Sequence, residues 1–388
     1  METASLFNIF LFRKGWVRLW GTRVSSLIIV RLVYCWLETP SQNSIEAAMT
    51  LGSSRMLSSK QLIENLIRYN FHKTPYTRSS VWPFKRNSAV IILLFIGMKG
   101  ELRVLLTKRS RSLRSFSGDV SFPGGKADSI QETFESVARR EAEEEIGLPH
   151  DSEILHKEFG MRLDNLVMDM PCYLSRTFLS VKPMVCFLYK DKLEKNEDKY
   201  KVPLDIRKFF GKLNPGETSS LFSVPLNDLT VHLLSKDDEE VQNYRTEYFE
   251  RREYKLNWGG IKWLIMHYHF HVANNNEMPW LQIIEDLSSS DEDGIDDAIL
   301  KFRDLWGLTC KMLFDVSCIA NGLMDEKSKK ELGHEDLIVG LHDYGNQMQP
   351  NGRSEWEIGM INGDKQLKYS DVIPKYYMKT LRGCRSLW

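Results

Sequence analysis

The sequence predicts an α/β protein, and two stretches carry that class. Ala89 to Met98 is a near-continuous apolar run closed by Lys99-Gly100, which reads as a buried central strand. Thr133 to Ile146 reads instead as an amphipathic helix, with strong helix formers and no Gly or Pro until Gly147 and Pro149 end it. Shorter apolar runs separated by polar turns surround these two.

At 388 residues the chain has room for one large domain or two ordinary ones. Its 42% hydrophobic and 27% charged residues are the proportions of a globular protein. Formal net charge is zero, so no global charge favours nucleic acid as a partner. Six cysteines lie far apart without a Cys-x-x-Cys, which argues against a structural zinc site or a disulfide scaffold and for reduced thiols.

Residues 1–55 differ from the rest. Arg13, Lys14, Arg18, Arg23, Arg31 and Arg55 stand against Glu2, Glu38 and Glu46. Two readings compete: a mitochondrial leader, or an upstream extension with Met49 or Met56 as the working start, the second being preferred. The apolar run Val24 to Leu37 is interrupted by Arg31 and is shorter than the ~20 residues of a membrane span, so none is expected.

Ser58 to Asn70 predicts a short helix packed through Leu62, Leu66 and Tyr69. After the central strand, Glu101 to Thr107 returns as a second strand. Lys108 to Gly118 is an arginine-rich loop, and Val120 to Phe122 a short strand leading into Pro123-Gly124-Gly125. Ile154 to Phe159 and Thr177 to Tyr189 read as strands, with Pro183 marking an edge position or a strand start. Asp191 to Lys201 reads as a charged loop, and the acidic stretches Asp237 to Glu240 and Asp291 to Asp297 as solvated insertions. Ile261 to Val272 alternates as a strand and puts His267, His269 and His271 on one face. Positions i and i+4 of a strand lie roughly 13 Å apart, so the three cannot ligate one ion, and no metal site is expected there. From Met324 onward the chain is polar and turn-rich.

The chemistry concentrates on the helix. Glu141, Glu144 and Glu145 fall at i, i+3 and i+4 and share one face. Unneutralised like charges at that spacing cost roughly 0.2–0.5 kcal/mol per pair. A hard divalent cation offsets this, since Mg²⁺ takes carboxylate oxygens together with substrate phosphates. The bland alternative is a solvated Glu-rich face. Ser129 with Glu132 three residues on predicts a capping box at the helix start.

Arg140-Glu-Ala-Glu-Glu-Glu-Ile-Gly-Leu148 resembles the second half of the Nudix box, Arg-Glu-(apolar)-x-Glu-Glu-x-Gly-(apolar). Glu132 precedes Arg140 by the required seven intervening residues, whereas Gly125 is separated from Glu132 by six rather than five. The turn therefore holds one extra residue. Upstream, Leu105, Leu106, Thr107, Arg109, Ser110, Arg114, Gly118 and Phe122 to Gly125 are similar to the signature of the coenzyme A diphosphatase branch of the Nudix hydrolases. Within that branch the chain resembles the fungal-type peroxisomal enzymes, from about residue 85 to residue 230, with an echo near Trp306. Phe302 to Phe314 is expected, by the same resemblance, to start the closing helix.

The resemblance implies a Nudix α/β/α sandwich with a mixed sheet over residues 56–320, including the acidic insertions, between an N-terminal extension at 1–55 and a C-terminal extension at 321–388. It implies hydrolysis of the diphosphate bond of coenzyme A and its derivatives to 3′,5′-ADP and 4′-phosphopantetheine or its acyl form. Mg²⁺ or Mn²⁺ is implied as the cofactor, with Glu141 and Glu145 as ligands and Glu144 as a third ligand or the proton acceptor. Arg140 is expected to orient these glutamates, and Arg109 and Arg114 to hold substrate phosphates. Gly124 and Gly125 would let backbone approach phosphate. Glu217, in the Asn214-Pro-Gly-Glu217 turn, reads first as solvated and second as facing the site. Two alternatives stay open: a Nudix enzyme for NADH, ADP-ribose or capped RNA, and an inactive nucleotide-binding module. The resemblance implies a peroxisomal location and an import receptor as partner, with the mitochondrion as the alternative. The chain ends Ser386-Leu387-Trp388, which lacks the basic middle residue and final Leu of a Ser-Lys-Leu address.

Overall fold

The computed structural model describes residues 55–69, 82–167, 169–191, 193, 198–205, 212–284, 302–324 and 332–384. The basic N-terminal segment before residue 55, the acidic stretch Asp291 to Asp297 and the terminal Ser386-Leu387-Trp388 lie outside them.

Helix α1 (Ser59–Arg68) begins at Ser58, which forms a capping box with Gln61. Then come β1 (Asn87–Ile96), β2 (Leu102–Arg109), β3 (Val120–Ser121), β4 (Gly124–Lys126), α2 (Phe134–Ile146), α3 (Ser152–Phe159), β5 (Met161–Asn165), β6 (Tyr173–Leu174), β7 (Ser180–Lys190) and β8 (Thr218–Pro225). The strands form one sheet in the order β3-β2-β1-β7-β5, with β4 on β1, β6 on β7 and β8 on β2. The sheet is mixed: β1 runs parallel to β7 and antiparallel to β2.

Strand β1 is covered on both faces, which is why its sequence is a continuous apolar run rather than an alternation. Ala89, Ile91, Leu93 and Phe95 pack with Val137, Ala138, Ala142 and Ile146 of α2. Ile92, Leu94 and Ile96 pack on the other side with Leu62 and Leu66 of α1 and with Leu313 and Val316 of α4 (Gly307–Ala320). Helix–sheet–helix layering is the α/β/α sandwich.

A second sheet, of β9 (Tyr248–Trp258), β10 (Ile261–His271) and β11 (Phe302–Trp306), follows β8 in the chain. The C-terminal stretch adds α5 (Glu335–Val339), α6 (Glu355–Ile361) and α7 (Lys375–Cys384). Leu337, Leu341, Met360, Tyr369, Ile373 and Tyr377 form a core of their own with Trp82, Cys172, Phe178 and Ile261. It is fastened by a buried ion pair, Arg86–Glu357 at 2.9 Å, and by the Tyr369 N–H donating to the Gly259 carbonyl.

Several local expectations change. Ile154 to Phe159 is helical, not a strand. Asp151 accepts from the Glu153 N–H at 2.6 Å, Glu153 pairs with Lys157 one turn on, and left-handed Gly160 ends α3. Phe302 to Phe314 is expected to start the closing helix; its first part, Phe302 to Trp306, is strand β11, and the helix starts at Gly307. Asp237 to Glu240, read as loop, runs into a short helix at Glu239–Asn243 capped by Asp238. Pro183 lies within β7, opposite Val90 of β1. On the other flank of β7, β6 pairs at Ser180 and Val181 and β5 from Cys186, so Pro183 falls where no strand is paired on that side. Cys172, Cys186, Cys310 and Cys318 are buried free thiols.

Candidate active site

Helix α2 carries the site. Its N-cap is Thr133, whose hydroxyl accepts from the Ser136 N–H at 3.1 Å, rather than the expected Ser129. Glu132 instead closes the preceding turn. Its Oε2 accepts from the Asp128 N–H at 2.6 Å and the Ser129 N–H at 3.4 Å. This gathers in the longer turn, so the extra residue is absorbed before the helix starts. The other carboxylate oxygen of Glu132 accepts from Arg140 Nε at 2.8 Å. Left-handed Gly147, at φ 72°, closes the helix.

Arg140 is the hub. Beyond Glu132, it donates to Glu141 at 3.0 Å, to Glu144 at 3.4 Å and to the Lys126 carbonyl at 2.9 Å. Its guanidinium thus fixes the helix face against β4 and holds two of the three motif glutamates. The third, Glu145, is bonded to backbone instead and is only 6% exposed. Its Oε2 accepts from the Gly124 N–H at 3.1 Å. Burial pushes Glu145 up to about 8; the Gly124 N–H and Arg109 oppose the rise, and Glu141 and Glu217 add to it. Burial also raises Glu141, against the pull of Arg140 and with a push from Glu144 and Glu217. Glu144 is the most exposed of the three, about half open to solvent.

The structure brings Glu217 to the same place. The Asn214 N–H donates to the Glu145 carbonyl at 3.1 Å, which ties the turn to the end of α2. Asn214 Nδ2 then donates to Glu217 at 3.1 Å. Sequence reasoning ranks Glu217 first as a solvated turn residue; its approach depends on a chain segment returning about seventy positions later, which no local pattern announces.

Arg109 ends β2 close enough to Glu145 to lower its proton affinity, and its buried Nε has no hydrogen-bond partner among the described residues. That leaves a cationic donor available beside the carboxylates. Arg114 lies instead on the exposed part of the loop, with no contact to the glutamates among those described. The two glycines serve the carboxylates. A Cβ on Gly125 would overlap the Glu141 carboxylate, and one on Gly124, at φ +151°, would strike the backbone of Ala89 and Val90. Both are needed for β4 to lie against β1 beneath the glutamate face.

The donor set fits a hard divalent cation. Glu141, Glu145 and Glu217 converge with Arg140 as the only cation bonded to any of them among the described residues, and Glu145 is buried on a single N–H. Buried carboxylates left this way are costly unless a cation arrives.

A carboxylate-lined helix face on a mixed α/β/α sandwich, fed by a Gly-Gly strand, is the arrangement of a Nudix hydrolase. The NUDIX domain family matches residues 85–248, and the chain belongs to the Nudix family. Among its relatives, a protein of Saccharomyces cerevisiae described as peroxisomal coenzyme A diphosphatase 1 is 88% identical over 340 residues, covering 88% of this chain and all of the relative. Two proteins of Arabidopsis thaliana, Nudix hydrolase 15, mitochondrial, and Nudix hydrolase 22, chloroplastic, are 33% and 31% identical over 195 residues. Those matches cover 50% of this chain and 54% and 51% of the relatives.

Proposed function

We propose that this chain hydrolyses the diphosphate bond of coenzyme A and its derivatives, with 3′,5′-ADP and 4′-phosphopantetheine, or its acyl form, as products. The substrate assignment is carried by the 88% identity to a coenzyme A diphosphatase along that relative's full length. The reaction class follows from Nudix membership and from the under-neutralised carboxylates of α2.

Glu141 and Glu145 would hold a divalent cation, Mg²⁺ or Mn²⁺, with Glu144 or Glu217 completing the oxygen set. When bound, such an ion neutralises diphosphate charge and acidifies a water. The chain supplies the rest. Arg140 holds Glu141 and Glu144 at fixed positions. The Gly124 N–H orients the Glu145 carboxylate. Arg109 would offer a fork to a phosphate oxygen beside them, as Arg does for planar anions, and Arg114, on the exposed loop, would serve the 3′-phosphate. Whichever of Glu144 and Glu217 is not engaged as a ligand accepts the proton of the attacking water. The water oxygen bonds to phosphorus as the bridging P–O bond breaks, and the leaving phosphate takes the electron pair.

The location follows the same likeness, the peroxisome, and an import receptor is the partner proposed for reaching it. Among the described residues no helix is long and apolar enough to cross a membrane.

The test is mass spectrometry of products after incubating the purified protein with coenzyme A, NADH and ADP-ribose, each with Mg²⁺ or Mn²⁺. Faster appearance of 3′,5′-ADP with phosphopantetheine is the expected result. Faster cleavage of NADH or ADP-ribose would overturn the substrate.

A further inference from the structure

The second sheet places a set of metal-binding side chains that the diphosphatase reaction does not use. His267 and His269 project from the same face of β10, two residues apart. Asp304 of β11 stands directly opposite His269 in the ladder. Asp304 Oδ1 lies 3.1 Å from His267 Nδ1 and 3.5 Å from His269 Nε2. One ligand atom from each of the three residues can be chosen so that all lie within 4.8 Å of one another. A tetrahedral site with metal–ligand bonds of about 2.0–2.1 Å needs ligand atoms roughly 3.3 Å apart. Two of the three edges already bracket that length. His271, the third histidine of the strand, stacks on Phe249 instead and is not part of the set.

Two further observations separate this cluster from a chance meeting of side chains. First, His269 is oriented from behind: its Nδ1 lies 3.0 Å from Glu250 of β9, which leaves Nε2 facing Asp304. A carboxylate on the far nitrogen is the usual support of a metal-bound histidine, fixing tautomer and ring plane. Second, both rings are clamped. Trp306 stacks parallel to His267 at 5.4 Å, Tyr254 meets its edge, and Phe302 covers His269 at 4.9 Å. Side chains held this way lose little freedom on binding an ion.

We propose that His267, His269 and Asp304 form a second metal site, selective for a zinc-class ion rather than for the Mg²⁺ or Mn²⁺ of the catalytic face. Two imidazoles and one carboxylate are ligands for a borderline-soft ion, and three protein ligands leave one position for water. The catalytic cluster, with oxygen donors alone, selects hard cations. A bound ion here joins β10 to β11, and β11 runs directly into α4, whose residues pack against the main sheet. The ion therefore fastens the closing helix to the second sheet.

The experiment uses the whole protein with excess Mg²⁺, titrated with Zn²⁺ by calorimetry and with Co²⁺ as the coloured substitute. Wild type binds one Zn²⁺ per chain, shows the intense visible absorption of tetrahedral Co²⁺, and melts at higher temperature with Zn²⁺. Glu145→Gln, altered in the catalytic face, keeps all three properties. Glu250→Gln weakens Zn²⁺ about tenfold, as loss of an outer-sphere partner does. His267→Gln/His269→Gln abolishes binding. Asp304→Asn, a partly exposed and near-isosteric change, weakens it by more than Glu250→Gln and serves if the double variant misfolds. Absence of saturable Zn²⁺ binding in wild type, or binding unchanged in Asp304→Asn and the double variant, would overturn the site and leave an ion-paired His–Asp cluster.

Discussion

Two arginines in this molecule each gather three glutamates, and they do opposite things. Arg103 is fully buried and bonds Glu101 and Glu247, with Glu277 at 3.9 Å. Each acid there has further donors: the Lys99 N–H for Glu101, Asn274 for Glu247, and the Ser223 N–H and hydroxyl for Glu277. Arg140 also bonds three glutamates, Glu132, Glu141 and Glu144, but it sits at the surface and leaves neighbours unserved. Among the described residues Glu145 has one N–H, and Glu217 has one side-chain amide. The first cluster is saturated by the chain and ties the second sheet's approach (Glu247, Glu277) to β2. The second awaits a cation from outside. What marks function here is not the number of acids around an arginine but how many are left without donors.

Breaking each cluster should therefore give different phenotypes. The largest effect is expected from Glu145→Gln, which removes a carboxylate from the open cluster. Coenzyme A cleavage should fall by on the order of a thousandfold, the scale for losing a preorganised electrostatic element, while circular dichroism and melting stay near wild type. Arg103→Met strikes the closed cluster and leaves buried carboxylates uncompensated. It should destabilise the protein by about 3–5 kcal/mol in denaturant unfolding, with folded molecules still active at low temperature. Arg109→Ala probes the border of the open cluster, because Arg109 lies beside it without belonging to the Arg140 hub. Losing a charged hydrogen bond worth about 1.5–3 kcal/mol should lower kcat/KM for coenzyme A roughly ten- to a hundredfold without abolishing metal binding.

The smallest effect concerns a third buried acid. Glu335 of α5 accepts from the Cys172 N–H at 3.1 Å and is pushed by burial from 4.5 to about 7. Its folded form holds the proton more tightly than the unfolded chain. The stability it adds is thus full below about pH 4.5 and lost as pH rises through about 7. Glu335→Gln should remove that decline and leave a flatter stability–pH curve by urea unfolding.

Features written within one element are legible in the sequence. The β1 run, the glutamate face of α2 and Arg140 between Glu132 and Glu144 all follow from spacing along one strand or helix. What escapes the sequence depends on register between distant segments. The Gly124 N–H reaches Glu145 because β4 lies against β1, and Asp304 meets His269 because β11 pairs with β10 across an intervening stretch of about thirty residues. Counting histidines on one strand dismisses them as ligands, since the third ligand comes from the next strand. Helix α3 reads as a strand because Ile154, Leu155 and Phe159 are too few to display a period; its cap at Asp151 and its stop at Gly160 are the better signals. The C-terminal layer reads as polar because its core residues are spread over short helices.

The chemistry proposed for α2 rests on its cluster being completed by a divalent cation that the chain's own donors do not replace. Mn²⁺ binding followed by electron paramagnetic resonance in wild type, Glu141→Gln and Glu145→Gln, with 3′,5′-ADP formation measured on the same samples, addresses this without an intermediary. Tight Mn²⁺ binding and cleavage should be lost together in both variants. Undiminished Mn²⁺ binding in both, or cleavage of coenzyme A by wild type stripped of divalent metal, would refute it.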